Sequence, residues 1–370
     1  MKKFEEFLSE HPAKWMIGDQ EHGDIIMSTR VRLARNIENM HFPRAASEED
    51  ILSVDRSVSG AILDDENLSY QFSHFDLSDK TPIQKQVLVE KHLISPQLAN
   101  QNKHGSVLIS EDESISIMIN EEDHIRIQCI EPGLDFTEAL RRANEIDDCL
   151  EHNLSYAFDE RFGYKTTCPT NVGTGLRASA MLHLPALTMT KQMRQLITMM
   201  PRLGLVVRGM YGEGTEATGS YYQISNQVTL GKSEEEVVQE LESIVLQIIN
   251  KEIEAREAML EYASIAISDR LNRSLGVLQY ARILTSEEAA TCLSNVRLGI
   301  DLGIIQSIPN ELLNKCMLIM QSGFLQQIAG TSLKANERDV FRAELIRDIF
   351  QQCGVLNNNN GDKGEDSYDV

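Results

Sequence analysis

No apolar run in this 370-residue chain reaches the roughly 18 residues of a membrane span, and its opening Met1-Lys-Lys-Phe-Glu-Glu6 has no apolar core of signal-peptide length. No membrane partner is therefore expected, and the expected compartment is the cytoplasm. The chain also lacks any C-x-x-C pair among its six cysteines, at 129, 149, 168, 292, 316 and 353. Reduced thiols are expected rather than disulfides or zinc. Basic excess is missing as well: the net charge of −21 argues against a nucleic-acid partner. There is no Walker A loop, because no G-x-x-x-x-G-K-[ST] occurs. Internal repeats are absent too. At 370 residues with 42% hydrophobic content, the chain is long enough to fill the cores of two domains.

Four polar segments stand out. The first is Cys168-Pro-Thr-Asn-Val-Gly-Thr-Gly-Leu-Arg-Ala-Ser179, which joins a thiol, two glycines and an arginine. Gly173 and Gly175 let a backbone approach an anion closely, and the apolar pattern that follows predicts a helix whose N-terminus faces it. Arg177 adds a planar cation that can fork onto phosphate oxygens. In the second, Ser28-Thr-Arg-Val-Arg-Leu-Ala-Arg-Asn36, Arg30 and Arg32 share one face of a strand. The third, Asn120-Glu-Glu-Asp-His-Ile-Arg126, lies between two runs in which isoleucines alternate with other residues, so its acids occupy the end or turn of a sheet. The fourth, Arg208-Gly-Met-Tyr-Gly-Glu-Gly-Thr-Glu-Ala-Thr-Gly219, is a glycine-rich loop carrying Glu213 and Glu216.

Taken singly, each segment has a plainer reading. Glu121 to Asp123 reads as a solvated acidic turn. Cys168 reads as a buried, inert thiol, and His92 as a half-buried structural histidine.

Together the four segments, in this order, resemble the phosphagen (guanidino) kinases. Only 27 residues precede Ser28, where the small-molecule members carry a helical domain, and about a hundred residues follow the matched region. That layout is similar to the bacterial protein-arginine kinases (McsB type). The resemblance implies an α+β catalytic domain, an antiparallel sheet flanked by helices, followed by an all-α C-terminal domain. It implies ATP and Mg²⁺ as cofactors, with no metal ligands assigned on the protein. Glu122 is implied as the base that withdraws the guanidinium proton, with Asp123 its acidic companion, Glu213 holding the guanidinium from the glycine loop, and Glu121 in support. Cys168 is implied as a thiolate near the substrate, its pKa lowered by the helix dipole and arginines. Nucleotide contacts are implied for Ser28, Thr29, Arg30, Val31 and Arg32; for His92 and Arg126; for Arg177, Ala178, Ser179, Ala180 and Met181; and for Arg208, Gly209, Met210, Tyr211 and Gly212. Five arginines (30, 32, 126, 177 and 208) would answer the triphosphate where a Walker lysine is absent.

Arg338-Asp-Val-Phe-Arg-Ala343 lies beyond the catalytic region. Asp339 and Arg342 are three apart and read on their own as a helical salt bridge. The resemblance implies a phosphoarginine receptor formed by Arg338, Asp339, Arg342 and Ala343. It further implies arginine-bearing protein substrates, which an acidic surface tolerates, an activator of the McsA type, a Clp-type unfoldase and protease, and a possible homodimer. A small-guanidine kinase and a non-catalytic phosphoarginine-binding adaptor remain as alternatives.

The expected divisions are an N-terminal segment 1–23, a catalytic domain 24–255, a helical domain 256–356 and a disordered polar tail 357–370. Residues 1 to about 20 read as a short helix and linker. Ser233-Glu-Glu-Glu236 forms a capping-box pattern, and the apolar residues from Val237 to Ile249 predict a helix running past Ala263. From there to about Val355 a single proline, Pro309, interrupts leucine-rich helical spacing. Thr285-x-x-Glu288 and Asn336-x-x-Asp339 are expected helix starts.

Overall fold

The computed structural model describes residues 2–16, 20–66, 68, 71–101, 104–209, 218–306 and 308–352. Its frame is one eight-stranded sheet. The strands are β1 Ile26–Arg35, β2 Phe72–Asp76, β3 Ser106–Ser110, β4 Ile115–Ile119, β5 Ile125–Pro132, β8 Leu176–His183, β9 Leu205–Gly209 and β10 Tyr221–Asn226. A separate small hairpin joins β6 Phe158–Asp159 to β7 Gly163–Tyr164. The large sheet runs β2-β3-β4-β5-β1-β8-β10-β9, with every neighbouring pair antiparallel.

Period-two alternation along β1 decides what each face carries. Val31 and Leu33 enter a core with the helices Glu48–Leu63, Phe136–Asn153 and Glu234–Tyr280. Ser28, Arg30 and Arg32 take the other face. At the β3–β4 end that face is covered by a second apolar cluster, in which Phe4 and Phe7 meet Val87, Leu88, Met118, Leu318 and Phe324.

The residues after Gly175 form the strand β8, where the sequence pattern predicts a helix. Pairing with β1 on one side and β10 on the other overrides the helix propensity of Leu176-Arg-Ala-Ser-Ala-Met-Leu. The helix Glu234–Tyr280 starts as expected, its capping box closed by Ser233 and Glu236. It continues through the expected division at 255/256 and bends at Ala263, where φ is −141°. Beyond it lie the helices Ser286–Asp301, Asn310–Ile319, Ser322–Ala329 and Ala335–Gln352. Thr285 caps the first, accepting from Glu288 N at 3.1 Å. Asn336 lies inside its helix rather than at its start, since the helix already begins at Ala335. Val245, Leu293, Leu313 and Ile346 share one core with Val31, so sheet and C-terminal helices pack as a single interior. The tail 357–370 lies outside the described residues.

Candidate active site

Four strands bring five arginines to one cleft of about 410 Å³: Arg30 and Arg32 from β1, Arg126 from β5, Arg177 from β8 and Arg208 from β9. Register sets their spacing, because Arg32 and Arg177 are direct partners across β1 and β8. Burial and like-charge repulsion act together here. The Arg30 guanidinium is pushed down to about 10 by burial, then by Arg126 and Arg177. Arg32 is also held well below the usual guanidinium value, by burial and then by Arg30, Arg126 and Arg177, with Glu121 opposing. Its Nε is buried with no hydrogen-bond partner among the described residues. Such a cluster suits a polyanion that supplies the missing negative charge.

The acids enter from the β4–β5 turn, which is not a solvated loop. Asn120 adopts φ 56°, a left-handed geometry that asparagine tolerates, and its Nδ2 donates to Ile51 O at 2.9 Å. Glu121, Asp123 and His124 are 5%, 1% and 0% exposed. His124 Nδ1 accepts from Ile37 N at 3.0 Å while Nε2 donates to His41 O at 2.9 Å, which fixes the turn against the chain after β1. Glu121 is held by Ser95 Oγ and by Arg126 Nη1. Glu122 lines the cleft, with its side chain 28% exposed and Arg126 Nη2 at 3.3 Å. Burial, Asp123 and Glu121 raise its pKa, against Arg126 and Arg177. A carboxylate moved toward neutrality beside a row of cations is equipped to take a proton.

Asp123 does not line the cleft. Its Oδ1 accepts from Asn36 Nδ2 at 2.7 Å and from Thr167 N at 2.6 Å, so it positions the segment leading to Cys168. Cys168 does line the cleft, its Sγ 3.0 Å from Thr170 Oγ1. The helix whose dipole would act on it is absent; a three-residue 3₁₀ turn, Pro169–Asn171, follows instead. The two glycines serve packing. A Cβ on Gly173 would sit 2.1 Å from Thr229 O, and one on Gly175 would sit 2.6 Å from Ala34 O.

The remaining implied nucleotide contacts divide by face. Ser28, Ser179 and Met181 line a small annex of the cleft with Trp15, Arg30 and His92. Val31, Ala178 and Ala180 point into the core instead, which removes their side chains from the cleft. Thr29 is also turned away, donating to Gly133 O at 2.7 Å and accepting from Asp135 N at 3.2 Å. His92 lines the cleft at φ 59° with its ring edge-on to Trp15 at 5.6 Å. Burial, then Arg30, pushes its pKa down to about 3, so it stays neutral. Gly209 ends β9, and Met210, Tyr211, Gly212, Glu213 and Glu216 lie outside the described residues. Sequence reading missed Gln128, which shares a face with Arg126 by alternation along β5, and Ser95, which no local pattern marks.

In the C-terminal region Arg342 is 3% exposed. It donates to Met320 O at 2.8 Å, to Leu284 O at 2.7 Å and to Asp339 Oδ1 at 2.6 Å. Arg338 donates to Leu333 O at 2.8 Å, and Ala343 is buried in the core. The Asp339–Arg342 pair is therefore no exposed helical salt bridge. No helix among the described residues is long and apolar enough to cross a membrane, and no group of three or more metal-ligating side chains gathers among them.

Residues 53–255 match the family model described as ATP:guanido phosphotransferase, C-terminal catalytic domain. Residues 264–361 match the protein-arginine kinase McsB C-terminal domain. The chain is 52% identical over 341 residues to the protein-arginine kinase of Halalkalibacterium halodurans, covering 92% of this chain and 96% of that protein. With the Bacillus subtilis protein-arginine kinase it shares 49% identity over 343 residues, 92% and 94% of the two chains. The crystal structure of lombricine kinase superposes with a TM-score of 0.56 at 28% identity, over 68% of this chain and 71% of that one.

Proposed function

The chain belongs to the ATP:guanido phosphotransferase family, and from that premise we propose that it transfers the γ-phosphoryl group of ATP to arginine side chains of proteins. The observation that carries this reading is the convergence of five arginines and the raised carboxylate of Glu122 on one cleft. A guanidinium is protonated at neutral pH and is no nucleophile until a proton leaves it. Glu122 takes that proton as the nitrogen attacks the γ-phosphorus; the N–P bond forms, the bond to the bridging oxygen breaks, and ADP departs. Arg30, Arg32, Arg126, Arg177 and Arg208 neutralise the charge that spreads over the transferring group. Magnesium, held on the nucleotide's phosphate oxygens, would add neutralisation of the same kind. His92 would flank the adenine side. Cys168, and Glu213 from the glycine loop, would border the substrate guanidinium.

The C-terminal match supports protein substrates over free small guanidines. It also supports Arg338, Asp339, Arg342 and Ala343 as a phosphoarginine receptor. An activator of the McsA type, delivery of marked proteins to a Clp-type unfoldase and protease, a homodimer and a cytoplasmic site belong to the same proposal. The protein incubated with ATP and either free arginine or an arginine-rich protein, then assayed for acid-labile phosphate, should label the protein alone. Labelling of free arginine would return the small-guanidine reading, and no labelling of either would return the adaptor.

A further inference from the structure

Three consecutive residues at the end of the helix Pro82–Glu90 reach three different parts of the molecule. Glu90 is 6% exposed. Its Oε1 accepts from Gly323 N at 2.8 Å and Ser322 Oγ at 3.3 Å, and its Oε2 accepts from Phe324 N at 3.0 Å. It thereby satisfies the free donors that open the helix Ser322–Ala329 and meets the positive end of its dipole. Lys91 is fully buried, donates to Phe7 O at 3.1 Å and pairs with Glu113. His92 enters the cleft, and its carbonyl accepts from Gln128 Nε2 at 2.7 Å.

The backbone joining these three is tightly bonded. Lys91 N donates to Val87 O, His92 N to Val89 O and Leu93 N to Leu88 O, each at 2.9 Å. Glu90 and His92 therefore shift together or not at all. On the C-terminal side, Met320, whose carbonyl accepts from Arg342 Nε, stands two residues before Ser322. A continuous series of hydrogen bonds and short main-chain steps thus links Arg342 to the cleft through Glu90.

We propose that Glu90 is a positioning residue that couples the C-terminal helices to the placement of His92 in the cleft; the proposal rests on the reading of that cleft as the ATP site. Close approach at Gly323 is part of the device. A Cβ there would lie 2.7 Å from Glu90 Oε2 and 2.9 Å from Gln86 Cγ, so any larger residue displaces the carboxylate.

The chain's single tryptophan, Trp15, packs on His92 and reports on it. The full-length protein is compared with Glu90→Gln, which keeps one acceptor oxygen, and Gly323→Ala, which keeps every charge. Three readings are taken: Trp15 emission without nucleotide, ATP affinity from the same signal and from calorimetry, and kcat with KM. Both variants should shift Trp15 emission in the same direction and weaken ATP binding roughly three- to tenfold, with kcat changed less than KM. A purely structural cap would lower the melting temperature and leave emission and affinity alone. Folded variants with wild-type emission and wild-type ATP affinity overturn the coupling. If Glu90→Gln does not fold, Gly323→Ala decides by the same readings; loss of fold in both makes Glu90 a structural cap and also overturns it. Wild-type protein that gives neither heat nor emission change with ATP refutes the nucleotide reading of the cleft, a failure distinct from that of the coupling.

Discussion

Glu122 Oε2 lies 3.3 Å from Arg126 Nη2, and of the three acids on its turn Glu122 is the least buried. The same arginine grips Glu121 from its other nitrogen at 2.6 Å. One cation thus orients both carboxylates while itself facing the cleft. Glu121 is spent on this support, and Glu122 remains available for a proton.

Glu122→Gln should abolish phosphorylation and leave ATP affinity near wild type, because an amide accepts no guanidinium proton. Burial raises the Glu122 pKa in the free enzyme, and the base must be deprotonated. The wild-type kcat/KM should therefore rise with pH through a value above the ordinary glutamate range. The folded state binds this proton more tightly than the unfolded chain, so stability falls as pH rises through the same window. Activity and stability profiles measured across acid pH should cross there; turnover within a few-fold of wild type in Glu122→Gln would remove it from the role.

The arginine cluster should behave in two ways at once. A guanidinium whose folded-state pKa lies below its unfolded value costs stability wherever it stays charged, which includes neutral pH. Arg32→Met should therefore raise the melting temperature of the nucleotide-free protein. The stabilisation that ATP gives wild type, about 2.7 kcal/mol at a hundredfold excess over Kd, should disappear in the same variant. Arg177→Lys and Arg208→Lys should lose most activity, since a point-charge ammonium does not replace a planar fork. Thermal melts with and without ATP, paired with turnover, check all three.

Asp123 separates positioning from chemistry. Asp123→Asn keeps an oxygen for Asn36 Nδ2 and Thr167 N, and should fold and retain turnover within about tenfold. Asp123→Ala strips both donors of their acceptor and should cost about 2–4 kcal/mol. Complete inactivity of a well-folded Asp123→Asn would give the residue a direct part in the reaction.

The phosphoarginine receptor is best probed at Asp339. Arg342 is buried across Leu284 O and Met320 O, so Arg342→Ala should lose about 2–4 kcal/mol of stability in a denaturant melt. Asp339, with its side chain 26% exposed, is the gentler site. Free phosphoarginine titrated calorimetrically should give heat with wild type and none with Asp339→Ala; equal heats would dismiss the receptor.

The elements of the candidate site were legible in sequence wherever period-two alternation ruled. Arg30 and Arg32 on one face of β1, and acids on a turn between two strands, follow from it directly. The same rule turns the side chains of Val31, Ala178 and Ala180 to the opposite face, into the core. What resisted reading is long-range. Arg35 is tied to Asp147, 112 residues away, and stacks over Tyr164 at 3.6 Å. Gly173 and Gly175 answer to Thr229 and Ala34, partners no local pattern reveals. β8 looked helical because Ala, Leu and Met favour helices; only its neighbours β1 and β10 make it a strand.

The second apolar cluster dictates an order of assembly. Phe4 and Phe7 are made some three hundred residues before Leu318 and Phe324, which close over the same patch. At about 5–20 residues per second, that is an interval of tens of seconds. Throughout it the outer face of β3 and β4 lacks its final cover, and Glu90 has no helix to cap. The nascent chain would thus complete this side of the cleft only after Phe324 has been made.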